Sequence, residues 1–124
     1  MDSIPRKPKR SILLVDDHAG FRQMVAEVLE LESGTYDEAS NGLEAIEACH
    51  SETCIPDLIL MDVEMPKLNG IDATRQIVSR FPEAQIIILT QHDDHWLRRI
   101  AMDAGASHYV SKADLSPLTT LVTS

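Results

Sequence analysis

The segment LILMDVEMPKLNG (residues 58–70) begins as a run of apolar residues and places a carboxylate, Asp62, at the point where that run ends. A short apolar run bounded by turn residues is typical of a strand that is buried on both faces. An aspartate that follows such a strand is usually only a turn or cap residue. A chemical role for Asp62 therefore depends on whether other segments bring charged groups to the same place.

Short apolar runs alternate with helical periodicity along the rest of the chain. Runs rich in Ile, Leu and Val predict strands, and apolar residues that recur every three to four positions predict helices. The strands are predicted at 11–15, 35–40, 57–61, 84–90 and 107–111, and the helices at 21–32, 43–50, 71–81 and 95–104. This alternation predicts an α/β fold with a parallel sheet covered on both faces, because parallel strands need crossover connections.

Individual residues mark the faces and ends of these helices. The first helix carries an apolar stripe that is expected to face the sheet and comprises Phe21, Met24, Val25, Val28 and Leu29. Asn41 is the expected N-cap of the second helix, and Asp93 or Asp94 that of the fourth. Gly105 is expected to end the fourth helix. In the turn before the third helix, Gly70 is expected to permit a backbone geometry that other residues resist.

A last helix is predicted to begin with Ser116 as its N-cap and Pro117 in its first turn. Its apolar stripe stops where the printed chain stops, so a short or truncated helix is expected, with more of the helix or a linker and output domain beyond it. The expected organisation is a basic tail at residues 1–10 and one globular domain at residues 11–124.

The charge of the chain is unevenly distributed. The net charge is -9, but residues 1–10 hold four basic side chains against one acidic, whereas the rest of the chain holds 7 basic and 19 acidic side chains. An acidic body repels phosphate backbones, so direct binding of nucleic acid by this chain is not expected. The tail is either a solvated leader or a basic arm for nucleic acid or membrane, and we assign it no function.

Composition places the chain among ordinary globular proteins. Its 124 residues are 44% hydrophobic and 25% charged, and no segment has the pattern of a signal peptide or a membrane span, so a cytoplasmic protein with no membrane partner is expected. Cys49 and Cys54, with only His50 nearby, do not make a four-ligand zinc set and are predicted to be free thiols. Any metal should therefore be bound by oxygen ligands.

Polar residues follow the predicted strands and should meet at one edge of the sheet. Asp16 and Asp17 follow the first strand, Asp62 the third, Thr90 ends the fourth and Lys112 follows the fifth. The carboxyl ends of parallel strands form the ligand-binding edge of such sheets. Three carboxylates at about 5 Å would repel by roughly 3 kcal/mol per pair at an effective dielectric of about 20. Mg²⁺ would offset that repulsion, because it is held by one or two carboxylates and retained waters.

These residues resemble the motifs of a known family, the receiver domain of two-component response regulators. The similarity rests on VDDHAGFR (15–22), MDVEMPKLNG (61–70), IILT (87–90) and YVSK (109–112), four motifs in the family's order and spacing. It extends from residue 11 to about residue 122 and is greatest for receivers that precede helix-turn-helix output domains of the LuxR type. The resemblance implies a doubly wound, five-stranded parallel sheet in the flavodoxin-like order 2-1-3-4-5.

The resemblance also implies a chemistry for the site. Asp62 would accept a phosphoryl group from a partner histidine kinase or phosphotransfer protein, and the chain would catalyse only its own phosphorylation and dephosphorylation. Asp17, Asp62 and the main-chain carbonyl of Glu64 would hold Mg²⁺, with Asp16 acting mainly through water. Lys112 would pair with Asp62 and then with the phosphoryl group.

A conformational output follows from the same resemblance. Thr90 would donate a hydrogen bond to the phosphoryl group, and Tyr109 would turn inward into the space that Thr90 vacates. The surface expected to change is the fourth helix with the fifth strand, which carries Trp96, Arg98 and Arg99. Trp96 is either an anchor for a partner or an ordinary packing residue. A homodimer on phosphorylation and a DNA-binding output domain outside this chain are the implied partners, with control of transcription as the implied output.

Three residues near the site depart from the common pattern or occupy variable positions. Gln91 follows Thr90 where the family prefers a small residue, and it either obstructs access to Asp62 or points to solvent. His92 and Glu64 occupy positions that tune loss of the phosphoryl group in the family.

Three other classes of protein are alternatives. A phosphorylation-independent receiver would serve only as an interaction module. An aspartate-nucleophile phosphatase would need a second acid two residues after Asp62, where Glu64 stands without that group's other motifs. A flavin protein of similar architecture would need a phosphate loop after the first strand, and the sequence has none there.

Overall fold

The computed structural model describes residues 11–50, 56–92 and 94–123, so the basic tail, Cys54 and Asp93 lie outside the described residues. The described chain forms one parallel sheet of five strands in the order β2-β1-β3-β4-β5, which confirms the expected order 2-1-3-4-5. The strands are β1 (Ile12–Val15), β2 (Asp37–Ala39), β3 (Leu58–Asp62), β4 (Ile86–Thr90) and β5 (His108–Ser111), and the helices are α1 (Ala19–Val28), α2 (Gly42–His50), α3 (Gly70–Arg80), α4 (His95–Asp103) and α5 (Ser116–Thr123).

The sheet separates two hydrophobic clusters. Successive side chains on a strand point to opposite faces, so on β1 Leu13 and Val15 join one cluster while Ile12 and Leu14 join the other. The first cluster packs against α2, α3 and α4, and the second packs against α1 and α5. Strands β1, β3 and β4 are therefore buried on both faces, which explains their unbroken apolar sequences.

The first helix differs from its predicted form. It begins two residues earlier than predicted and ends at Val28, because Glu30 adopts a positive φ of 54° and the chain turns away from the helix axis. Its buried residues are Val25 and Ala26, whereas Met24 and Val28 are each 41% exposed. The prediction that Met24 and Val28 lie on the buried stripe was wrong, because the helix is rotated so that its 21–25–29 row faces the sheet.

The predicted caps are mostly confirmed. The side-chain oxygen of Asn41 accepts a hydrogen bond of 2.9 Å from the amide of Glu44, and Asp94 accepts one of 2.7 Å from the amide of Leu97. Gly105 follows α4 with a φ of 112°, as a residue that ends a helix should. Ser116 is the first residue of α5 rather than its cap, and its amide donates to the carboxylate of Asp114.

The helices of the described chain are short. The longest, α3, has 11 residues, and the described part of α5 has 8. Among the described residues no helix combines the length and apolar character that crossing a bilayer requires. The described cysteine, Cys49, is a free thiol as predicted, and burial raises its pKa to about 11.

Candidate functional site: the acidic edge of the sheet

The register of the central strands brings Asp16 beside Asp62. Strand β1 pairs with β3 so that Val15 lies opposite Met61, and the next residues on the two strands are the two aspartates. Both aspartates are almost fully buried, with exposed fractions of 3% and 6%. Two neighbouring carboxylates out of contact with bulk water need a cation, because their repulsion is weakly screened there.

Lys112 supplies that positive charge. Its Nζ donates a hydrogen bond of 2.7 Å to Oδ2 of Asp16 and lies 3.1 Å from Oδ1 of Asp62. The amide of Lys112 also donates to the carbonyl of Thr90, which holds this residue at the end of β5 next to β4. One ammonium group therefore bridges two carboxylates, and the shorter contact is to Asp16 rather than to Asp62.

The electrostatics of the pocket oppose the charge on Asp62. Burial and the neighbouring charge of Asp16 raise the pKa of Asp62, and the hydrogen bond and charge of Lys112 offset only part of that increase. Burial alone would lower the pKa of Lys112, but its hydrogen bonds to Asp16 and Asp62 raise the pKa above its usual value. Lys112 thus keeps its positive charge, and that charge offsets only part of the increase in the pKa of Asp62.

A second group of ligand atoms lies at the open side of the same pocket. Nδ1 of His18 is 3.1 Å from a carboxylate oxygen of Asp17 and 3.3 Å from one of Asp16. These three residues form a compact group that could hold a metal ion, and Asp17 and His18 are exposed. Asp62 lies outside this compact group and connects to it through Lys112, which contacts both Asp16 and Asp62.

The donor set suits a divalent cation. Carboxylate oxygens are the ligands that Mg²⁺ prefers, and two buried carboxylates that share one ammonium leave room for further positive charge. Asp17 offers exposed carboxylate oxygens beside the buried Asp16, and Asp62 is the last residue of β3. The residues that the structure brings together therefore fit the metal that the sequence motifs implied.

Thr90 and Tyr109, the two residues expected to act as a switch, both form hydrogen bonds with the backbone of His92. The hydroxyl of Thr90, a residue only 1% exposed, accepts a hydrogen bond of 3.0 Å from the amide of His92. The hydroxyl of Tyr109 donates to the carbonyl of the same residue. The guanidinium of Arg98 lies 5.9 Å from the centre of the Tyr109 ring. One loop residue therefore links the buried hydroxyl to the half-buried aromatic residue on β5.

His92 and Glu64, the two positions expected to tune loss of the phosphoryl group, contact each other. The imidazole of His92 contacts the carboxylate of Glu64 through Nε2, and both side chains are largely exposed. This contact joins the loop after β4 to the loop after β3, beside Asp62 at the end of that strand. Gln91 is exposed, next to the buried Thr90. Trp96 is 74% exposed, so it is not a packing residue of the chain's own core.

Gly70 ends the turn after β3. A glycine is needed there for a steric reason and not for an unusual backbone geometry. Its φ is not positive, and the positive φ of this turn belongs to Lys67 at 68°. A Cβ atom on Gly70 would lie 1.8 Å from the carbonyl oxygen of Asp62. The expectation of an unusual backbone geometry at Gly70 was wrong, and the residue is needed because α3 begins in contact with the backbone of Asp62.

Three residues of the site were missed by reasoning from the sequence. His18 faces Asp16 and Asp17, the ring of Phe21 lies under the ammonium of Lys112, and Arg22 donates to the main-chain oxygen of Asp16. All three follow the aspartate pair in VDDHAGFR and lie at or near the start of α1. A helix that begins within a few residues of a site presents its first turn to that site, and this was the signal available in the sequence.

Comparison with known proteins identifies the family. The family described as "Response regulator receiver domain" matches residues 12–123. The chain belongs to the response regulator receiver domains. This assignment agrees with the four motifs and leaves the phosphatase and flavin-protein alternatives without support, because the match covers the whole body of the chain.

The most similar relatives include regulators of transcription. Transcriptional regulatory protein DegU from Brevibacillus brevis is 35% identical over 109 residues, which cover 84% of this chain and 44% of DegU. Response regulator UvrY from Escherichia coli K12 is 38% identical over 104 residues, which cover 82% of this chain and 47% of UvrY. The chain therefore spans less than half the length of these relatives.

A solved structure supports the same assignment. The two-component response regulator of the LuxR family from Aurantimonas sp. SI85-9A1 is 32% identical and superimposes with a TM-score of 0.78. The match covers 94% of this chain and 86% of that chain. Receiver domains of this family are regulators rather than enzymes that process a separate substrate.

Proposed function

We propose that this receiver accepts a phosphoryl group on Asp62 and relays the change to the surface of α4 and β5. The observation that carries the proposal is the buried pair of Asp16 and Asp62, bridged by the ammonium of Lys112. An ordinary structural carboxylate is not placed where burial and a second carboxylate disfavour its charge. A phosphoryl acceptor benefits from this placement, because the acceptor and its counter-charge are already in position.

The proposed phosphoryl transfer to Asp62 is a displacement at phosphorus. A carboxylate oxygen of Asp62 forms the new bond to phosphorus while the bond from phosphorus to the donor breaks, and the donor leaves with the bonding electron pair. A phosphohistidine donor whose other ring nitrogen carries a proton leaves directly as a neutral imidazole. An aspartyl carboxylate is an established covalent carrier of phosphoryl groups. Lys112 then pairs with an oxygen of the transferred group in place of the Asp62 oxygen it now contacts.

Mg²⁺ would neutralise the charge on the phosphoryl oxygens when bound. Asp17, Asp62 and the main-chain carbonyl of Glu64 are the proposed ligands, with Asp16 acting mainly through water. The engagement of Asp16 with Lys112 supports that division of roles, because its Oδ2 already has a partner at 2.7 Å. Asp17 is exposed, and the partner of its carboxylate is the exposed imidazole of His18 rather than the buried ammonium.

The proposed switch passes through residue 92. If the Thr90 hydroxyl turns to the phosphoryl group, it gives up the hydrogen bond from the amide of His92. Tyr109 is bonded to the carbonyl of that same residue, so a shift of His92 also moves the partner of Tyr109. Helix α4 begins three residues later at His95. A local charge change thus reaches the surface that exposes Trp96.

The proposed partners follow from this switch and from the relatives. The phosphodonor is a histidine kinase or phosphotransfer protein, and a cytoplasmic location is proposed because such donors draw on cytoplasmic ATP. DegU is named as a transcriptional regulatory protein, so control of transcription through an output domain is the proposed result, with a homodimer on phosphorylation. The acidic body is not proposed to bind DNA or a membrane itself.

A phosphorylation-independent interaction module is the second candidate function, and the exposed Trp96 is the observation that favours it.

The protein is expected to gain the mass of one phosphoryl group when it is incubated with Mg²⁺ and acetyl phosphate. Asp62→Asn should give no adduct, because an amide is a poor nucleophile and the nearby carboxylates are held by other contacts. Intact-mass spectrometry provides the measurement. Asp103→Asn, which changes an exposed carboxylate on α4, is the matched control and should be phosphorylated like the parent.

The same assay tests the metal. Chelation of Mg²⁺ should prevent the adduct, and Asp17→Asn should reduce its rate of formation by about tenfold or more, in the range of effects seen when metal-site residues are altered. Equal phosphorylation of Asp62→Asn would overturn the mechanism. An unmodified parent protein under all conditions would favour the interaction module.

Gln91→Ala is expected to speed both gain and loss of the phosphoryl group by a few-fold. The proposed reason is that the exposed Gln91 stands beside the approach to Asp62 and restricts both the donor and the attacking water. Time courses of the adduct, before and after removal of acetyl phosphate, measure the two rates. Gln85→Ala, at the other end of β4, is the control. Unchanged rates in both directions would show that Gln91 only points to solvent.

A further inference from the structure

We infer that Phe21 is a positioning residue for Lys112 and thereby for phosphoryl transfer to Asp62. The inference rests on the proposed function and extends it to a residue that carries no charge. Its basis is one contact, in which Nζ of Lys112 lies 4.2 Å from the centre of the Phe21 ring. A cation within about 6 Å of a ring centre is attracted to the negative face of the ring.

The ring is a third neighbour of the ammonium beside the two carboxylates. Nζ of Lys112 contacts Asp16 at 2.7 Å and Asp62 at 3.1 Å, and the side chain is only 9% exposed. An ammonium has three N–H donors, so a group that is shielded from water needs a third favourable neighbour. The face of Phe21 is such a neighbour among the described residues.

The position of the ring is itself well defined. Phe21 lies in the first turn of α1 and packs against the hydrophobic cluster between the sheet and that helix. It lines a small cleft together with Leu14, Leu60 and Leu89, which come from three adjacent strands. An aromatic side chain packed among strand residues has few rotamers, so the direction of its π face is determined by the core.

A ring serves this purpose better than another carboxylate. A third carboxylate would hold the ammonium by a directed hydrogen bond and would compete with the incoming phosphoryl oxygens. The π face attracts the cation without a formal charge, so Lys112 can move from the oxygen of Asp62 to a phosphoryl oxygen while its contact with the ring persists. Without the ring, the shorter contact to Asp16 would dominate, and Lys112 would be drawn away from the reacting oxygen.

A fluorination series at position 21 tests the inference. Phenylalanine analogues with one, two and three ring fluorines replace Phe21 site-specifically, and each fluorine weakens the negative face while it barely changes the volume of the ring. The rate of adduct formation from acetyl phosphate with Mg²⁺ should fall stepwise, with its logarithm linear in fluorine number and a total loss of about tenfold. The melting temperature should change little, because the fluorines leave the packing of the ring almost unchanged. A ring that only packs would leave the rate unchanged as well.

The chain contains one other phenylalanine, and it provides a matched control. Phe81 follows α3 near Arg80 and His50, away from the acidic pocket, so the same analogues there should leave the rate unchanged. Phe21→Leu should slow the reaction by about tenfold, and Phe21→Tyr, which keeps a π face, should restore most of the rate. If Phe21→Leu does not fold, the fluorinated proteins still decide the outcome.

The outcomes separate this inference from the proposed function. An unsubstituted protein that is phosphorylated, together with a flat series at position 21, would overturn the role of Phe21 and leave the proposed function intact. An equal decline for the series at Phe81 would show a general effect of fluorine and would also overturn it. Absence of an adduct in the unsubstituted protein would overturn the proposed function and this inference with it.

Discussion

Gly70→Ala is expected to lower the free energy of unfolding by more than about 3 kcal/mol. The added Cβ would lie 1.8 Å from the carbonyl oxygen of Asp62 and 2.8 Å from its carbonyl carbon, and both atoms belong to the backbone of a fully buried strand. A flexible side chain could move away from such a clash, but this backbone cannot move without breaking the pairing of β3 with β4. Helix α3 would have to shift outwards instead.

Urea unfolding at neutral pH measures this effect. Gly20→Ala is the matched control, because Gly20 lies inside α1 and an added Cβ there meets nothing within 4 Å. That variant should be unchanged or more stable by up to about 1 kcal/mol, since alanine favours helix more than glycine does. A loss below about 1 kcal/mol for Gly70→Ala would show that α3 and the Asp62 backbone do not approach each other as described.

Lys112→Met is expected to lower the free energy of unfolding by about 3 kcal/mol at neutral pH. Removing the ammonium leaves Asp16 and Asp62 buried side by side without their shared counter-charge. The methionine keeps most of the apolar stem, so the loss reports on charge rather than on packing. Lys67→Met, at an exposed position in the turn after β3, is the control and should change stability by no more than about 0.5 kcal/mol.

The loss should depend on pH in a definite direction. The pKa of Asp62 is already raised in the folded protein, and removal of Lys112 raises it further. A carboxyl group whose folded-state pKa exceeds its unfolded value lowers stability at every pH above the unfolded value, which is about 4. The difference between parent and variant should therefore grow from acid to neutral pH, and adding Asp62→Asn to Lys112→Met should recover part of it. A loss of equal size at acid and neutral pH would contradict this account.

Much of the site could be anticipated from the strand ends. Asp16, Asp62, Thr90 and Lys112 were each placed at the end of a strand by local hydrophobic pattern, and parallel strands bring those ends to one edge. The sequence predicted the contact of Lys112 with Asp62 but not its contact with Asp16. Its shorter contact is to Asp16, which follows β1. Strands β3 and β4 lie between β1 and β5 in the sheet, so no local pattern encodes this contact.

The first helix shows why some predictions were wrong. The sequence pattern allowed the apolar stripe to include Met24 and Val28, because both lie one turn apart on the same side of a helix as Val25 and Leu29. The rotation of α1 against the sheet leaves these two residues half exposed. Only the packing of a whole helix against three strands decides which edge of a broad apolar stripe is buried.

The sequence by itself determined the order of the elements, the parallel sheet and the set of charged residues at its carboxyl edge. These features depend on periodicity and spacing within single segments, where the physical signal is local. The tertiary structure decided that Gly70 is required by the backbone of Asp62, that His92 links Thr90 to Tyr109, and that the Phe21 ring faces the ammonium of Lys112. Each of these contacts joins segments that are distant in the chain or fixes a side-chain direction, and distances of a few ångströms between such groups are set only when register, helix rotation and loop path are settled together.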